Sequence, residues 1–122
     1  MPWLVLAVSD LMFAARIADA ARAAGWGLAT PAADDEASAQ LSRPGAALVT
    51  DLQDRTFDAL ALLEAARAAR APALAFGRHT DAASLQRARR HGATTVPRSD
   101  LVARLSELLA GLAPSAGPAT RR

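Results

Sequence analysis

The sequence contains no cysteine, and this absence excludes a disulfide framework. A chain without cysteine is typical of a reducing compartment. Its first apolar stretch is interrupted at Ser9 and Asp10 and has no charged segment before it, so it is too short for a signal peptide or a membrane span. We therefore expect a soluble, cytoplasmic protein that has no membrane partner.

Lysine is also absent, and all fourteen cationic side chains are arginine. Guanidinium groups do not lose their charge until very high pH, so the sequence pI of about 10.9 overstates a formal net charge of only +2. Such a small excess of positive charge does not indicate a nucleic-acid partner. Aromatic residues make up only 4% of the chain, which weakens single-strand binding by base stacking.

Common catalytic and phosphate-binding motifs are missing as well. The chain has no serine in a nucleophile elbow and neither the GxGxxG nor the GxxxxGK[ST] loop. Its two histidines, His79 and His91, are expected to bond to the backbone or to favour a helix C-terminus, rather than to bind a transition metal. We therefore expect no enzymatic activity.

What the chain does have is a regular alternation of apolar runs and amphipathic segments. The runs predict strands at 3–9, 26–30, 46–50, 73–76 and 93–96. The amphipathic segments predict helices at 11–24, at 57–70, from a cap at Thr80 or Asp81 to 91, and from a cap at Ser99 or Asp100 to 112. The segment 31–45 is predicted to be mostly loop, with two helical turns at 36–41 as its only regular structure.

Strands that alternate with helices predict an α/β fold, in which a five-stranded parallel sheet carries helices on both faces. The predicted strand order is 2-1-3-4-5, as in flavodoxin-like proteins. With 122 residues the chain is long enough for one buried core. We predict a single domain at 1–113 and a flexible C-terminal tail at 114–122.

Two of the predicted strands lead into aspartates, Asp10 after the first strand and Asp51 after the third. In the order 2-1-3-4-5 these strands are neighbours, and their carboxyl ends form the edge where such folds bind ligands. Two carboxylates placed together repel unless a cation or a proton lies between them, and Mg²⁺ prefers oxygen ligands. Asp10 and Asp51 are therefore candidate metal ligands. The alternative is that Asp10 caps the first helix, Asp51 begins a polar loop and no cofactor binds.

The chain resembles the receiver domain of bacterial response regulators, the CheY-like family, along residues 3–112. The resemblance lies in Ser9-Asp10, in Asp51, and in the segments PALAFGRHTD and HGATTVPRS. It implies that Asp51 stands at the phosphoacceptor position and Asp10 at one of two acidic Mg²⁺ positions. It also implies two phosphate-contact positions, where Gly77 replaces a hydroxyl residue and Arg98 is the cation nearest to the usual lysine.

Three of these five positions depart from the family pattern, since Ser9 also replaces the second acid. We therefore expect a pseudo-receiver, a stand-alone module of the two-component signalling type that acts by protein–protein interaction without conventional phosphorylation. One alternative is a functional phospho-receiver in which Asp51 accepts the phosphoryl group and Asp10 binds Mg²⁺. Another is a sensor of a small molecule or nucleotide at the strand ends.

Two surfaces are candidates for a protein partner. Arg87, Arg90 and Arg104 lie in the region that forms a common partner and dimer surface in the resembled family, where a basic patch would suit an acidic partner. The first helix has only a narrow polar stripe at Arg16, Asp19 and Arg22, so part of its apolar surface is available to a partner or to a second copy in a homodimer. The alternative for both is an ordinary solvated helix face.

Overall fold

The computed structural model describes residues 1–113, and the flexible tail predicted at 114–122 lies outside the described residues. Strands and helices alternate along the described chain, as the sequence pattern predicts. The strands are β1 (Trp3–Ala7), β2 (Gly27–Ala29), β3 (Ala46–Asp51), β4 (Ala73–Gly77) and β5 (Thr94–Pro97). The helices are α1 (Leu11–Ala23), α2 (Asp34–Gln40), α3 (Ala59–Ala68), α4 (Ala82–Arg90), α5 (Arg98–Leu101) and α6 (Leu105–Leu112).

The strands form one parallel five-stranded sheet in the order β2-β1-β3-β4-β5, which confirms the predicted topology. β3 lies between β1 and β4, and every residue of β3 is buried. Burial on both faces explains why this strand reads as a continuous apolar run rather than as an alternation. Its buried Thr50 hydroxyl donates a hydrogen bond of 3.1 Å to the Ala7 carbonyl oxygen of β1. The carboxyl ends of β1 and β3 therefore lie side by side.

Helices cover both faces of the sheet, and each face has its own core. Between the sheet and α1, α5 and α6, the largest fully buried side chains are Leu4, Ile17, Val49, Leu74, Phe76, Leu101 and Leu109. Between the sheet and α2, α3 and α4 they are Val5, Leu41, Leu48, Leu62 and Leu63. None of the described helices is both long and apolar enough to cross a bilayer.

The structure confirms two helical turns within residues 31–45 but shifts their bounds, because α2 spans Asp34–Gln40 where a helix was expected at 36–41, and the rest of the segment is turn and loop. Three carboxylates fill the first turn of α2, where they interact favourably with the positive end of the helix dipole. Ala37 and Leu41 bury the opposite side of this segment in the core. The short apolar repeat and the acidic first turn together favour a helix more strongly than the neighbouring prolines oppose it.

The structure also corrects the prediction for the last helix, which is broken rather than continuous. A turn at 102–104 separates α5 from α6, and Arg104 leaves helical geometry with φ −112° and ψ 14°. Neither Ser99 nor Asp100 is the N-cap. That position belongs to Pro97, whose extended backbone has φ −63° and ψ 147°. The break leaves Val102 40% exposed on the outside of the domain.

Element boundaries differ from the predictions by a few residues. β1 ends at Ala7, two residues before the predicted end, although Val8 is still buried in the core. α3 begins after Asp58, whose side chain caps it by accepting a hydrogen bond of 3.2 Å from the Ala61 N–H. Asp81 caps α4 as predicted, by accepting a hydrogen bond of 3.2 Å from the Ser84 N–H.

Candidate functional site

Asp51 is the last residue of β3, and only 3% of it is exposed at the carboxyl edge of the sheet. Its two carboxylate oxygens have different partners. Oδ1 accepts a hydrogen bond of 2.9 Å from the Gln53 N–H, and Oδ2 accepts one from Nη2 of Arg98. Burying a carboxylate without partners is costly, so these two contacts offset the cost of placing Asp51 in the interior.

Arg98 is the first residue of α5, immediately after β5, and its guanidinium lies between the two predicted metal ligands. Nη2 contacts Asp51, and Nη1 lies 4.0 Å from Oδ2 of Asp10. The guanidinium carbon also lies 4.9 Å from the ring centroid of Phe13 and 5.6 Å from that of Phe76. Because a cation between two carboxylates removes their repulsion, Arg98 supplies from within the chain the charge that this pair needs.

Asp10 acts as a helix cap, which is one of the two roles that the sequence leaves open for it. Its Oδ1 accepts hydrogen bonds of 3.0 Å from the Met12 N–H and 3.1 Å from the Phe13 N–H at the start of α1. A carboxylate in this position satisfies free N–H groups and interacts favourably with the helix dipole. Only Oδ2, which faces Arg98, has no role in the cap.

Asp54 is a site residue that was not among the predicted ones, and it contacts Ser9 across the edge of the sheet. Oδ2 accepts a hydrogen bond of 2.7 Å from the Ser9 N–H, and the Ser9 hydroxyl donates to the same carboxylate at 2.9 and 3.0 Å. Oδ1 also accepts from the N–H groups of Thr56 and Phe57. Partial burial raises the pKa of the Asp54 carboxyl, but these hydrogen bonds outweigh it and bring the pKa below its usual value.

The available sequence signal for Asp54 is the spacing Asp54-x-Thr56, which suits an aspartate that bonds to the backbone two residues later. Ser9 gives a second signal, because a serine at a position where the resembled family has an acid leaves room for a carboxylate from elsewhere. The structure brings the carboxylate of Asp54 to that place.

Gly77 ends β4 and is buried against the loop that follows β3. A Cβ at position 77 would lie 2.9 Å from Oε1 of Gln53 and 3.3 Å from Cβ of Leu52. Gln53 is fixed in this place, because its Oε1 accepts a hydrogen bond of 2.8 Å from the Arg78 N–H and its Nε2 donates one of 3.0 Å to Asp81. The amide of Gln53 therefore fills the space that a side chain at position 77 would need.

No protein-family model matches the sequence, and no curated protein matches it at a significant level. Solved structures do resemble it. The signal receiver domain of a response regulator from Bermanella marisrubri is 22% identical, with a TM-score of 0.75 over 90% of this chain and 96% of that one. A response-regulator receiver domain from Rhodospirillum rubrum is 17% identical, with a TM-score of 0.68 over 87% of this chain and 89% of that one.

A third similar structure is the receiver domain of a sensor histidine kinase from Pseudomonas aeruginosa, which has a magnesium ion coordinated in its active site cleft. It is 16% identical, with a TM-score of 0.73 over 91% of this chain and 96% of that one. These matches extend over almost the whole described chain. The chain has the fold of a response-regulator receiver domain.

The carboxylates at the edge of this receiver fold do not fit a divalent cation as they are arranged. Asp51 uses both oxygens on protein donors, Asp10 uses one on its helix, and Asp54 uses both on Ser9 and the following loop. Mg²⁺ demands several oxygens in near-octahedral geometry, whereas here a guanidinium occupies the approach. Within residues 1–113, no group of three histidine, cysteine, aspartate or glutamate side chains is arranged to hold a metal.

His79 and the arginines of the predicted partner surface lie in separate places on this receiver fold. His79 lines a cavity of about 510 Å³ together with Arg98 and Phe13, at the same edge of the sheet as the aspartates. Arg87 lines a different cavity, near Asp54 at the start of α3. The other two arginines of the predicted partner surface are also exposed, but neither of them lines the cavity of Arg87.

Proposed function

We propose that this chain is a receiver-fold interaction module in which Arg98 neutralises Asp51 permanently, so that no phosphoryl group is needed to set its state. In this proposal the guanidinium supplies the positive charge that a metal ion and a lysine ammonium would supply in a phosphorylated receiver. The observation that carries the proposal is the contact of the Arg98 Nη2 with the buried carboxylate of Asp51.

Two further contacts support this proposal. The Gln53 amide occupies the space beside Gly77, so the position expected to carry a phosphate-binding hydroxyl has no room for one. The second acidic position is Ser9, and its hydroxyl and N–H are both used by Asp54. Each group that would otherwise receive Mg²⁺ or a phosphoryl group therefore has a partner from the chain itself.

A second candidate is a functional phospho-receiver, and the location of Asp51 favours it. Asp51 ends β3 at the carboxyl edge of the sheet, with Asp10 on the other side of the same guanidinium. A movement of the Arg98 side chain away from the sheet would expose one oxygen of each aspartate together. In that case Asp51 would accept the phosphoryl group, and Asp10 would contribute to binding Mg²⁺.

The two candidates are separated by titrating isotopically labelled protein with Mg²⁺ and beryllofluoride and recording amide NMR spectra. We expect no saturable shifts around Asp51 in the wild-type protein. Saturable shifts there that disappear in Asp51→Asn would establish the phospho-receiver instead. Shifts produced by a nucleotide and not by beryllofluoride would favour the predicted small-molecule sensor.

The cation role of Arg98 has its own test, which is the first prediction. Arg98→Ala leaves the buried Asp51 carboxylate without its ion pair, and we expect the free energy of unfolding to fall by about 3 kcal/mol. We also expect added Mg²⁺ to raise the melting temperature of Arg98→Ala and not that of the wild-type protein, because the metal can then enter between the two aspartates. Arg89→Ala, at an exposed position of α4, is the matched control and should show neither effect. Equal responses of the wild type and Arg98→Ala to Mg²⁺ would contradict the cation role.

A further inference from the structure

A continuous groove runs between α1 and the segment 98–107, on one face of the sheet. It consists of three cavities of about 510, 370 and 500 Å³ in succession. The first two share Phe13 and Val102, and the second and third share Arg16 and Val102. The groove follows the turn at 102–104 that separates α5 from α6, and Val102 lines all three cavities.

Exposed apolar side chains are concentrated at this groove. Met12 and Val102, which line it, are 76% and 40% exposed, and Leu11 beside Met12 at the start of α1 is 84% exposed. Among the described residues, the only other large apolar side chain that is exposed to this degree is Met1. A local cluster of large exposed apolar side chains of this kind indicates a site of interaction.

The walls of the groove also carry two guanidinium groups that form no ion pair among residues 1–113. The carboxylates along it are already engaged: Asp10 caps α1, Asp19 pairs with Arg22 at 3.5 Å, and Glu107 pairs with Arg104 at 3.0 Å. Arg78 at one end of the groove and Arg16 in its middle are exposed, and within residues 1–113 neither has a carboxylate within ion-pair distance. The groove thus combines an apolar centre with two available guanidinium groups.

We propose that this groove binds an amphipathic, acidic segment of a partner protein, with apolar side chains in the centre and carboxylates toward Arg16 and Arg78. The proposal rests on the proposed function as an interaction module and adds the surface and the chemistry of the partner. An amphipathic helix laid in an apolar groove is a recurrent mode of peptide recognition, and the complementary charges orient it.

Charge complementarity selects this occupant over two others. A second copy of the chain carries a formal net charge of +2 and is therefore a poorer match for two available guanidinium groups than an acidic segment. The residues at 114–122 carry Arg121 and Arg122 and no acidic side chain, so their composition does not match the groove either.

The test uses a labelled synthetic helical peptide that has leucine at positions i, i+4 and i+7 and glutamate on both flanks, with fluorescence anisotropy as the readout. We expect saturable binding that weakens as salt is raised, because the charges lie at the surface. A peptide with lysine in place of every glutamate should not bind. Val102→Asp and Met12→Ser should each weaken binding by about tenfold, and Arg16→Ala by several-fold. Arg67→Ala, on α3 across the sheet, is the matched control and should leave binding unchanged.

Several results would overturn the proposal. No binding of the acidic peptide is one, and equal binding to the wild type, Val102→Asp and Met12→Ser is another. Equal binding of the lysine peptide would remove the role of charge. Sedimentation that shows self-association of the wild type, lost in Met12→Ser, would assign the groove to a second copy. The beryllofluoride experiment reports on Asp51 alone, so a failure of the proposed function is distinguishable from a failure at the groove.

Discussion

At the scale of single residues, the edge of this sheet is closed by side chains from the chain itself. Arg98 contacts Asp51, Asp54 bonds to Ser9, and the amide of Gln53 lies against Gly77. Each contact satisfies a polar group that would be costly to leave without a partner near the interior. The arrangement therefore stabilises the fold and gives each of these groups a partner within the chain.

Gly77 gives the second prediction, because the crowding around it is measurable. In Gly77→Ala the new Cβ would press on Gln53 and Leu52, and we expect the free energy of unfolding to fall by about 1–2 kcal/mol. Chemical denaturation followed by circular dichroism measures this change. In Gly111→Ala the new Cβ meets no atom within 4 Å, so this variant should be neutral or more stable.

A double-mutant cycle identifies the cause of the loss. Gln53→Ala removes the amide that opposes a side chain at position 77, so Gly77→Ala should cost less in the Gln53→Ala background than in the wild type. An unchanged cost would mean that Gln53 is not what excludes a side chain there.

At the scale of the elements, three helices end in the same way but not with the same residue. After α1 and α4, Gly25 and Gly92 adopt left-handed backbone conformations with φ of 88° and 86°. The next N–H then bonds back five residues along the chain, from Trp26 to Ala21 and from Ala93 to Ala88. Glycine adopts this conformation without a steric penalty, so both helix ends could be predicted from the sequence.

The end of α3 has the same geometry with an arginine, and it gives the third prediction. Arg70 has φ 59°, and the Ala71 N–H bonds to the Ala66 carbonyl oxygen at 2.8 Å. A residue with a Cβ is strained in this conformation, so Arg70→Gly should raise the free energy of unfolding by about 0.5–1 kcal/mol, as measured by thermal or chemical denaturation. Arg67→Gly, inside the same helix, should lower it by about 1 kcal/mol. A loss of stability in Arg70→Gly would contradict the strain at this position.

Helix ends and breaks without a glycine could not be predicted from the sequence. The sequence predicts a helix up to Arg70. Hydrophobic periodicity does not reveal a left-handed backbone conformation when the residue that adopts it is not glycine. The break at 102–104 is hidden for a similar reason, since Leu101, Leu105 and Leu108 keep helical spacing across it. In both places the apolar period continues while the backbone leaves the helix.

At the scale of the whole molecule, the sheet order and the convergence of Asp10 and Asp51 followed from the alternation of strands and helices. Most of what surrounds that pair did not follow. Arg98 could be named as the nearest cation, but Gln53 and Asp54 lie in a loop without periodicity, and their bonds to Arg78 and Ser9 span 25 and 45 residues. Such long-range polar contacts have no local signature, so the sequence predicted a carboxylate site but not these two partners.

The hydrogen-bonded carboxyls give the molecule a defined response to acid, which is the basis of the last prediction. Hydrogen bonds also lower the pKa values of Asp81 and Glu107, through Ser84 and Arg104, but Glu107 is exposed, so solvent screens its effect, and Asp81 accepts fewer hydrogen bonds than Asp54. The partly buried Asp54 should therefore show the clearest effect. Its pKa is lower in the folded state than the value of 3.8 for an unperturbed aspartate.

A carboxyl with a lowered pKa contributes stability above its unfolded-state pKa and loses that contribution as the pH falls through its folded-state pKa. We therefore expect the free energy of unfolding to change little from about pH 7 to pH 5 and to decrease below about pH 4. Asp54→Asn should be less stable than the wild type at neutral pH, and the difference should shrink in acid, where the wild-type carboxyl is protonated. Ser9→Ala removes only the hydroxyl donor and keeps the Ser9 N–H bond, so it should show a smaller difference of the same form. Urea denaturation at a series of pH values measures these differences. If the difference in the free energy of unfolding between Asp54→Asn and the wild type stays constant down to pH 3, ionisation of Asp54 does not stabilise this edge of the sheet.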